Sequence, residues 1–226
     1  MAFFSFVQRA HVEDLVKECH AENWHIHVIK HYRSRYHVYT ACQWITEITE
    51  PTASVFEPGC GSGINLLWLG VREFRHLMGS DISEEALTLS RRLSKHFAID
   101  VSVWKDNCLF PTKSLENIDV ILSVNWLYHT KEGSLTHFLQ TYKESLKRKG
   151  KIVLDVVDKS FNACKGNEFH TSDIKLPLCQ RRPSEYKFRT SMKEVVALAE
   201  RHGFTVLRKT LIKDLPPRSV YVLEKM

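Results

Sequence analysis

Apolar positions in the first fifth of the chain recur at helical spacing. Residues 12–22 alternate apolar and charged positions with that period, and residues 27–49 carry a broad stripe of Val28, Tyr32, Tyr39, Trp44, Ile45 and Ile48. Two amphipathic helices are predicted there. Glu50-Pro51 stops the second, because a residue before proline is pushed out of the helical region. From Ala53 the period changes. Short β-rich runs at residues 54–56, 77–79, 101–104, 118–124 and 152–157 alternate with helical stretches near 63–69, 84–97 and 134–147. Strand alternating with helix predicts parallel βαβ units with helices on both faces of one sheet.

Local signals sharpen several boundaries. Ser83 precedes Glu84-Glu85-Ala86 and is a capped helix start. Lys147 to Lys151 places cations and then Gly150 at what reads as a helix end. After Val157 the rhythm breaks over about 30 residues containing Gly166, Pro177 and Pro183, which reads as an insertion above one end of the sheet. A helix over 191–202, closed by Gly203, then leads to two last strands at 204–209 and 220–223, with Pro216-Pro217 in the turn between them.

Composition changes this picture little. A chain of 226 residues, 43% hydrophobic and 26% charged, suits one globular domain with a core of its own. No apolar run reaches membrane-spanning length, and Met1 to Val7 meets Gln8 and Arg9 too soon for a secretion signal, so a cytoplasmic protein without membrane attachment is expected. Six cysteines, Cys19, Cys42, Cys60, Cys108, Cys164 and Cys179, form no C-x-x-C pair and read as free thiols. The net charge of +6 favours the approach of anions but falls short of a nucleic-acid signature.

The chemistry concentrates in Val55-Phe56-Glu57-Pro58-Gly59-Cys60-Gly61-Ser62-Gly63. An apolar strand ends in an acid, passes three alternating glycines and opens a helix. That arrangement lets a ligand lie against bare main chain at the carboxyl end of a first parallel strand. Ile64 stands where a dinucleotide fingerprint needs its third glycine, and the G-K-[ST] of a phosphate-cradling loop is absent. An acid beside the loop is a poor neighbour for pyrophosphate. It suits a ligand carrying ammonium and sulfonium charges, which is S-adenosylmethionine.

The stretch resembles the first motif of the class I, Rossmann-like, S-adenosylmethionine-dependent methyltransferases. Further matches follow in order. Asp81, in Gly79-Ser80-Asp81-Ile82-Ser83 about 20 residues on, suits the ribose hydroxyls. Asp106, with Asn107, resembles the acid that contacts the adenine amino group. Residues 117–129, ending Asn125-Trp126-Leu127-Tyr128-His129, resemble the fourth strand and the loop that borders both the methionine part of the cofactor and the acceptor. The resemblance spans residues 52–157. It implies a seven-stranded, mostly parallel sheet with an antiparallel C-terminal hairpin and extra N-terminal helices. Its cofactor-binding set here is Glu57, Gly59, Cys60, Gly61, Gly63, Asp81, Ile82, Asp106, Asn107 and Asn125.

Residues 1–50 are then expected to form a helical lid, and 51–226 the cofactor-binding domain with an insertion at about 158–190. His129 and Tyr128 are the catalytic candidates. For His129 two readings stand, a general base that removes the acceptor's proton and a hydrogen-bonding wall residue. Tyr32 and Tyr36 in the lid, Trp126, and Arg181 in the insertion are candidate acceptor contacts. The histidines His20, His25, His27 and His31 match no tight zinc spacing, and no metal is predicted. The expected reaction is in-line transfer of methyl to an oxygen or nitrogen of a small molecule, in which alignment of donor and acceptor supplies much of the acceleration. The loop at Asn125 departs from the N-P-P-Y type that serves base and amide nitrogens. An RNA or protein acceptor is retained as second reading, as is a cofactor-binding partner protein without turnover. The oligomeric state stays open.

Overall fold

The computed structural model describes residues 9–131 and 133–226, and not the side chains of Arg9, Ala10, His11 and Arg33. The apolar opening segment Met1 to Val7 lies outside the described residues. Seven strands form the sheet body: β1 (Ser54–Pro58), β2 (His76–Asp81), β3 (Ser102–Lys105), β4 (Ile118–Ser123), β5 (Leu146–Asp158), β7 (Phe204–Ile212) and β8 (Arg218–Lys225). Their order across the sheet is β3-β2-β1-β4-β5-β8-β7, and β6 (Arg189–Thr190) adds a two-residue parallel pairing to the end of β5. All pairings up to β5 are parallel, whereas β8 runs antiparallel to both β5 and β7. The expected α/β architecture with its reversed C-terminal hairpin is therefore present.

Helices α1 (Arg9–Glu18), α2 (Trp24–Lys30), α3 (Tyr36–Ile48), α4 (Ile64–Gly70), α5 (Glu84–Phe97), α6 (Ser134–Ser145) and α7 (Met192–Arg201) cover the two faces. Alternation along the strands divides the core. Val120, Leu122 and Val153 point into a cluster built with α1 to α5, while Ile121, Ile152 and Leu154 point into one built with α6 and α7. The chain lays down β1, β2 and β3 in one direction and returns to place β4 on the other side of β1. That reversal opens a crevice at the carboxyl ends of β1 and β4, where ligands of open α/β sheets bind.

Several boundaries differ from the sequence pattern. The continuous helix read over 27–49 is two helices separated by a 3-10 turn at Tyr32–Ser34. His31 (φ −107°, ψ 26°) and Arg35 (φ −88°, ψ 72°) leave the helical region, and the break lets Tyr32 turn fully inward to stack on Trp68 at 6.2 Å. α1 stops at Glu18, and His20 adopts a left-handed φ of 52°. Lys147, Arg148 and Lys149 do not end a helix: α6 stops at Ser145, and these residues form a bulge between the Ile118–Leu146 and Val120–Lys151 pairings. Lys149 takes φ 60° there, and Lys147 reaches back to Asp119 at 2.8 Å. Both C-terminal strands are longer than predicted, so that Arg218 opens β8. The segment between β5 and β6 consists of 3-10 turns at Lys159–Ala163, Thr171–Asp173 and Leu178–Gln180. No helix among the described residues is long and apolar enough to cross a membrane.

Candidate active site

The glycine loop is shaped by backbone that only glycine adopts without strain. Gly59, Gly61 and Gly63 have φ of 73°, 52° and 68°. The amides of Gly59 and Cys60 both donate to the Ser80 carbonyl, at 2.7 and 3.0 Å, which sews the loop to the end of β2. The Gly61 amide donates to Asp81 Oδ2 at 2.8 Å, and the Ser83 amide donates to Asp81 Oδ1 at 3.0 Å. The loop and the acid predicted to hold the ribose thus form one unit. Cys60 is buried and packs beneath the loop, and Ile82 next to Asp81 is exposed.

Glu57 lies at the end of β1 and is 1% exposed. Its Oε1 accepts from Asn65 Nδ2 at 2.6 Å, while Oε2 has no hydrogen-bond partner among the described residues. Burial pushes its carboxyl up to about 8, against the pull of Asn65 and of the nearby Arg35. Asn65 Oδ1 and Arg35 Nη1 are buried and unpartnered in the same way. Native proteins leave few such groups, because each unsatisfied buried polar atom costs about 1–3 kcal/mol. The acceptors Glu57 Oε2 and Asn65 Oδ1 and the donor Arg35 Nη1 therefore have the character of a cradle for a ligand with both charges.

Asn125 leads the loop after β4 in a left-handed conformation, φ 69°. Its amide donates to Asp155 Oδ1 at 2.7 Å, and its Oδ1 lies 2.9 Å from His37 Nε2. Asp155 Oδ2 also accepts from Arg218 Nη1 at 2.8 Å in a fully buried ion pair. The guanidinium of Arg218 lies 4.4 Å from the Tyr128 ring and 5.4 Å from the Tyr186 ring. Trp126 bends back over the glycine loop, so closely that a Cβ on Gly59 would fall 2.9 Å from its indole. At the other end of the loop, His129 packs its ring against Tyr128 at 4.1 Å and is otherwise exposed. Partial desolvation lowers its pKa, opposed by Glu185.

The start of α2 packs on the glycine loop: a Cβ on Gly61 would come within 3.4 Å of His25 Cε1 and 3.5 Å of Trp24 Cη2. His25 is buried with Nδ1 unpartnered among the described residues, and burial lowers its pKa to about 4.

The remaining sequence candidates are placed less directly. Asp106 is 7% exposed and turned into its own loop, accepting from the amides of Asn107 (2.8 Å), Thr112 (2.9 Å) and Lys113 (3.2 Å). Asn107 is exposed and holds the amides of Leu109 and Phe110 through Oδ1. Tyr32 is buried in the core against Trp68, and Tyr36 is 57% exposed. Arg181 donates to the carbonyls of Leu176 and Ile174 within the insertion, while its neighbour Arg182 is paired with Asp173. Arg35, His37, Asn65, Asp155 and Arg218 were missed by sequence reading. No spacing joins them; the fold brings His37, Asp155 and Arg218 to the loop after β4, and Asn65 to Glu57 beside the glycine loop. Among the described residues no group of three or more His, Cys, Asp or Glu side chains is gathered as a metal site would require.

Comparison with known proteins places this geometry. The family described as "methyltransferase domain" matches residues 29–209. Among solved structures, magnesium protoporphyrin IX methyltransferase from Synechocystis PCC 6803 with bound SAH superposes with TM-score 0.68 at 13% identity, covering 96% of each chain. A protein of Pyrococcus horikoshii OT3 superposes with TM-score 0.69 at 17% identity, covering 86% of this chain and 91% of that one. A SAM-dependent methyltransferase of Methanosarcina mazei superposes with TM-score 0.67 at 14% identity, covering 81% of this chain and 97% of that one. At these identities the likeness is one of fold. Comparison with curated protein sequences returns no match.

Proposed function

Because the chain belongs to the methyltransferase-domain family, we propose that it methylates an oxygen or nitrogen of a small molecule in the cytoplasm. Its cofactor is S-adenosylmethionine, which when bound supplies an electrophilic methyl on sulfonium for in-line displacement. The observation that carries the assignment of residues is the cradle of unpartnered buried atoms. The acceptors Glu57 Oε2 and Asn65 Oδ1 suit the cofactor's ammonium, and Arg35 Nη1 suits its carboxylate. Asp81, fixed by the Gly61 and Ser83 amides, presents its remaining lone pairs to the ribose hydroxyls. The bare main chain of Gly59 and Gly61 lets the Trp126 indole and the α2 start close directly on the loop, and these side chains move aside when a ligand lies against it.

The chain's own residues then align and shield. Residues 1–50 act as a lid, with His25 and Trp24 excluding water over the glycine loop. Tyr128 walls the acceptor side, and His129, kept neutral by its lowered pKa, receives a proton when the acceptor is a hydroxyl. Calorimetric titration with S-adenosylhomocysteine tests the reading. Micromolar binding to the wild type is expected, weakened at least about tenfold by Arg35→Gln. A folded wild type that does not bind would overturn it.

A further inference from the structure

We propose that the tip of the insertion, residues 174–180, docks the protein on an anionic lipid bilayer by seating its aliphatic side chains at the headgroup boundary. Docking of this kind is independent of the methyltransferase reading. Surface attachment requires no spanning helix, and none is present among the described residues. The tip therefore departs from the sequence expectation of no membrane attachment.

Residues 168–184 fold back as a hairpin. Phe169 bridges Pro183 antiparallel, the His170 amide donates to the Arg182 carbonyl at 2.9 Å, and the Ser184 amide donates to the Glu168 carbonyl at 2.8 Å. At the tip, Ile174-Lys175-Leu176-Pro177-Leu178-Cys179-Gln180 is an unbroken run of exposed residues. Ile174 is 58% exposed, Leu176 41% and Leu178 67%. Apolar side chains scattered singly over a surface are ordinary, but three on one short tip make a patch.

Two arginines hold the tip in this form. Arg181 Nε donates to the Leu176 carbonyl at 2.7 Å, and its Nη2 donates to the Ile174 carbonyl at 2.9 Å. Arg182 clamps the buried Asp173 through Nε and Nη2, both at 2.8 Å. The carbonyls of Asp173, Pro177 and Leu178 accept from the amides of Leu176, Gln180 and Arg181, and Pro177 has no amide hydrogen to satisfy. These carbonyls bond inside the tip while the aliphatic side chains face out. A loop entering the headgroup boundary needs that division, because an unpaired peptide group is costly away from water.

Charge and size name the occupant. Residues 174–182 include Lys175, Arg181 and Arg182 and no acid. Asp173 offsets Arg182, which leaves Lys175 and Arg181 to face an anionic surface. A stable protein interface takes about 20–30 residues a side, far more than this tip supplies. A bilayer accepts a short apolar wedge without shape complementarity, and its anionic headgroups attract each neighbouring cation. The chain leaving the hairpin is tied to the candidate active site, since the amides of Lys187 and Phe188 both donate to the Tyr128 carbonyl, at 2.9 and 3.1 Å. The tip and Tyr128 thus belong to one connected element.

The test is co-sedimentation of the full chain with extruded vesicles of phosphatidylcholine, alone or with about one third phosphatidylserine. The wild type is expected to bind the mixed vesicles at least about tenfold more tightly than phosphatidylcholine alone, the effect of two cations near an anionic surface. Salt should weaken that binding, because the screening length falls from about 10 Å at 0.1 M to about 3 Å at 1 M. Ile174→Ser combined with Leu178→Ser alters only exposed positions, so its melting temperature should match the wild type. Its affinity for mixed vesicles should fall at least about tenfold, the loss of two aliphatic anchors. Lys175→Gln should cost about fivefold on the mixed vesicles and nothing on phosphatidylcholine. No wild-type binding to mixed vesicles, equal affinity for the two vesicle types, or undiminished binding by the double variant would each overturn the proposal. Sedimentation without lipid is expected to show the same mass for wild type and double variant. A wild-type dimer that the double variant returns to monomer would make the tip a contact between copies of this chain and would equally overturn it.

Discussion

The Gly61 amide donates to Asp81 Oδ2 across 2.8 Å, so the glycine loop and the acid at the end of the neighbouring strand are one preformed element. Asp81 Oδ1 is fixed in turn by the Ser83 amide at the start of α5. A carboxylate oriented by two backbone donors meets a diol without reorganising, and preorganisation of this kind is what lowers the cost of binding.

Asp81→Ala removes the tie to the loop and, in the proposed function, the ribose contact. Calorimetry should show S-adenosylhomocysteine binding weakened at least about tenfold, or about 1.4 kcal/mol. Asp81→Asn keeps an oxygen for one of the amides and should lose less. Equal affinity of wild type and Asp81→Ala would remove Asp81 from the site.

Glu57 makes the unliganded protein sensitive to pH. Its carboxyl is pushed up to about 8 in the fold by burial, whereas an unfolded glutamate titrates near about 4.3. Between those values the folded state holds more protons than the unfolded one, so stability falls as pH rises across that window and levels off above it. The melting temperature of the unliganded wild type should carry a decline from pH 5 to 8 that Glu57→Gln lacks. A ligand ammonium placed at Oε2 favours the ionised form, so binding near pH 7 should release a proton. Titrations in two buffers of different ionisation enthalpy would detect it, and identical enthalpies in both would rule it out.

The parts of this site legible in the sequence are those where local backbone demands particular residues. Three glycines at positive φ and an apolar strand before them are visible without a fold, because glycine alone occupies those angles freely. The strands were legible as short apolar runs, continuous along β4 and β5 because both faces of the sheet are buried. Arg35 and Arg218 were not legible. They stand at opposite ends of the chain, and each looks like an ordinary surface cation until β8 buries Arg218 against Asp155 and the start of α3 buries Arg35 Nη1. The break at Tyr32–Ser34 was hidden too, because an apolar stripe continues across it and the inward turn of Tyr32 onto Trp68 is visible only in the fold.

Gly59→Ala isolates the packing of the loop. The new methyl would stand 2.9 Å from the Trp126 indole, on backbone at φ 73°. Left-handed geometry at a residue with a Cβ costs on the order of 1–3 kcal/mol, and the indole must also shift. Thermal unfolding should move to lower temperature, and S-adenosylhomocysteine affinity should fall because Trp126 is displaced. The atoms the new methyl meets are the indole Cγ and Cδ1, so Gly59→Ala should lower the melting temperature less in a Trp126→Ala background than in the wild type, a partial recovery of the loss. No recovery would mean that the φ strain alone accounts for the loss.

Asp106 separates ligand contact from loop construction. Burial alone would raise its pKa, but amide hydrogen bonds from Thr112, Lys113 and Asn107 outweigh that and leave it below the usual carboxyl range. A depressed pKa in the fold means a stabilisation present above the unfolded value and lost as pH falls through the folded one. The same carboxylate accepts from the Thr112 hydroxyl at 3.1 Å, so residues 107–113 are folded around it. Asp106→Ala should therefore lower the melting temperature of the unliganded protein, and lower its unfolding free energy in urea near neutral pH by on the order of 3 kcal/mol. The deficit should shrink as pH falls below the unfolded carboxyl range and through the depressed value in the fold, where the wild-type carboxylate protonates too. A residue whose whole role was to hold the adenine amino group would behave differently. Its loss would weaken S-adenosylhomocysteine binding and leave the unliganded melting temperature where it was. Measuring both quantities on the one variant decides between the two, because only the loop-building role predicts instability in the absence of ligand.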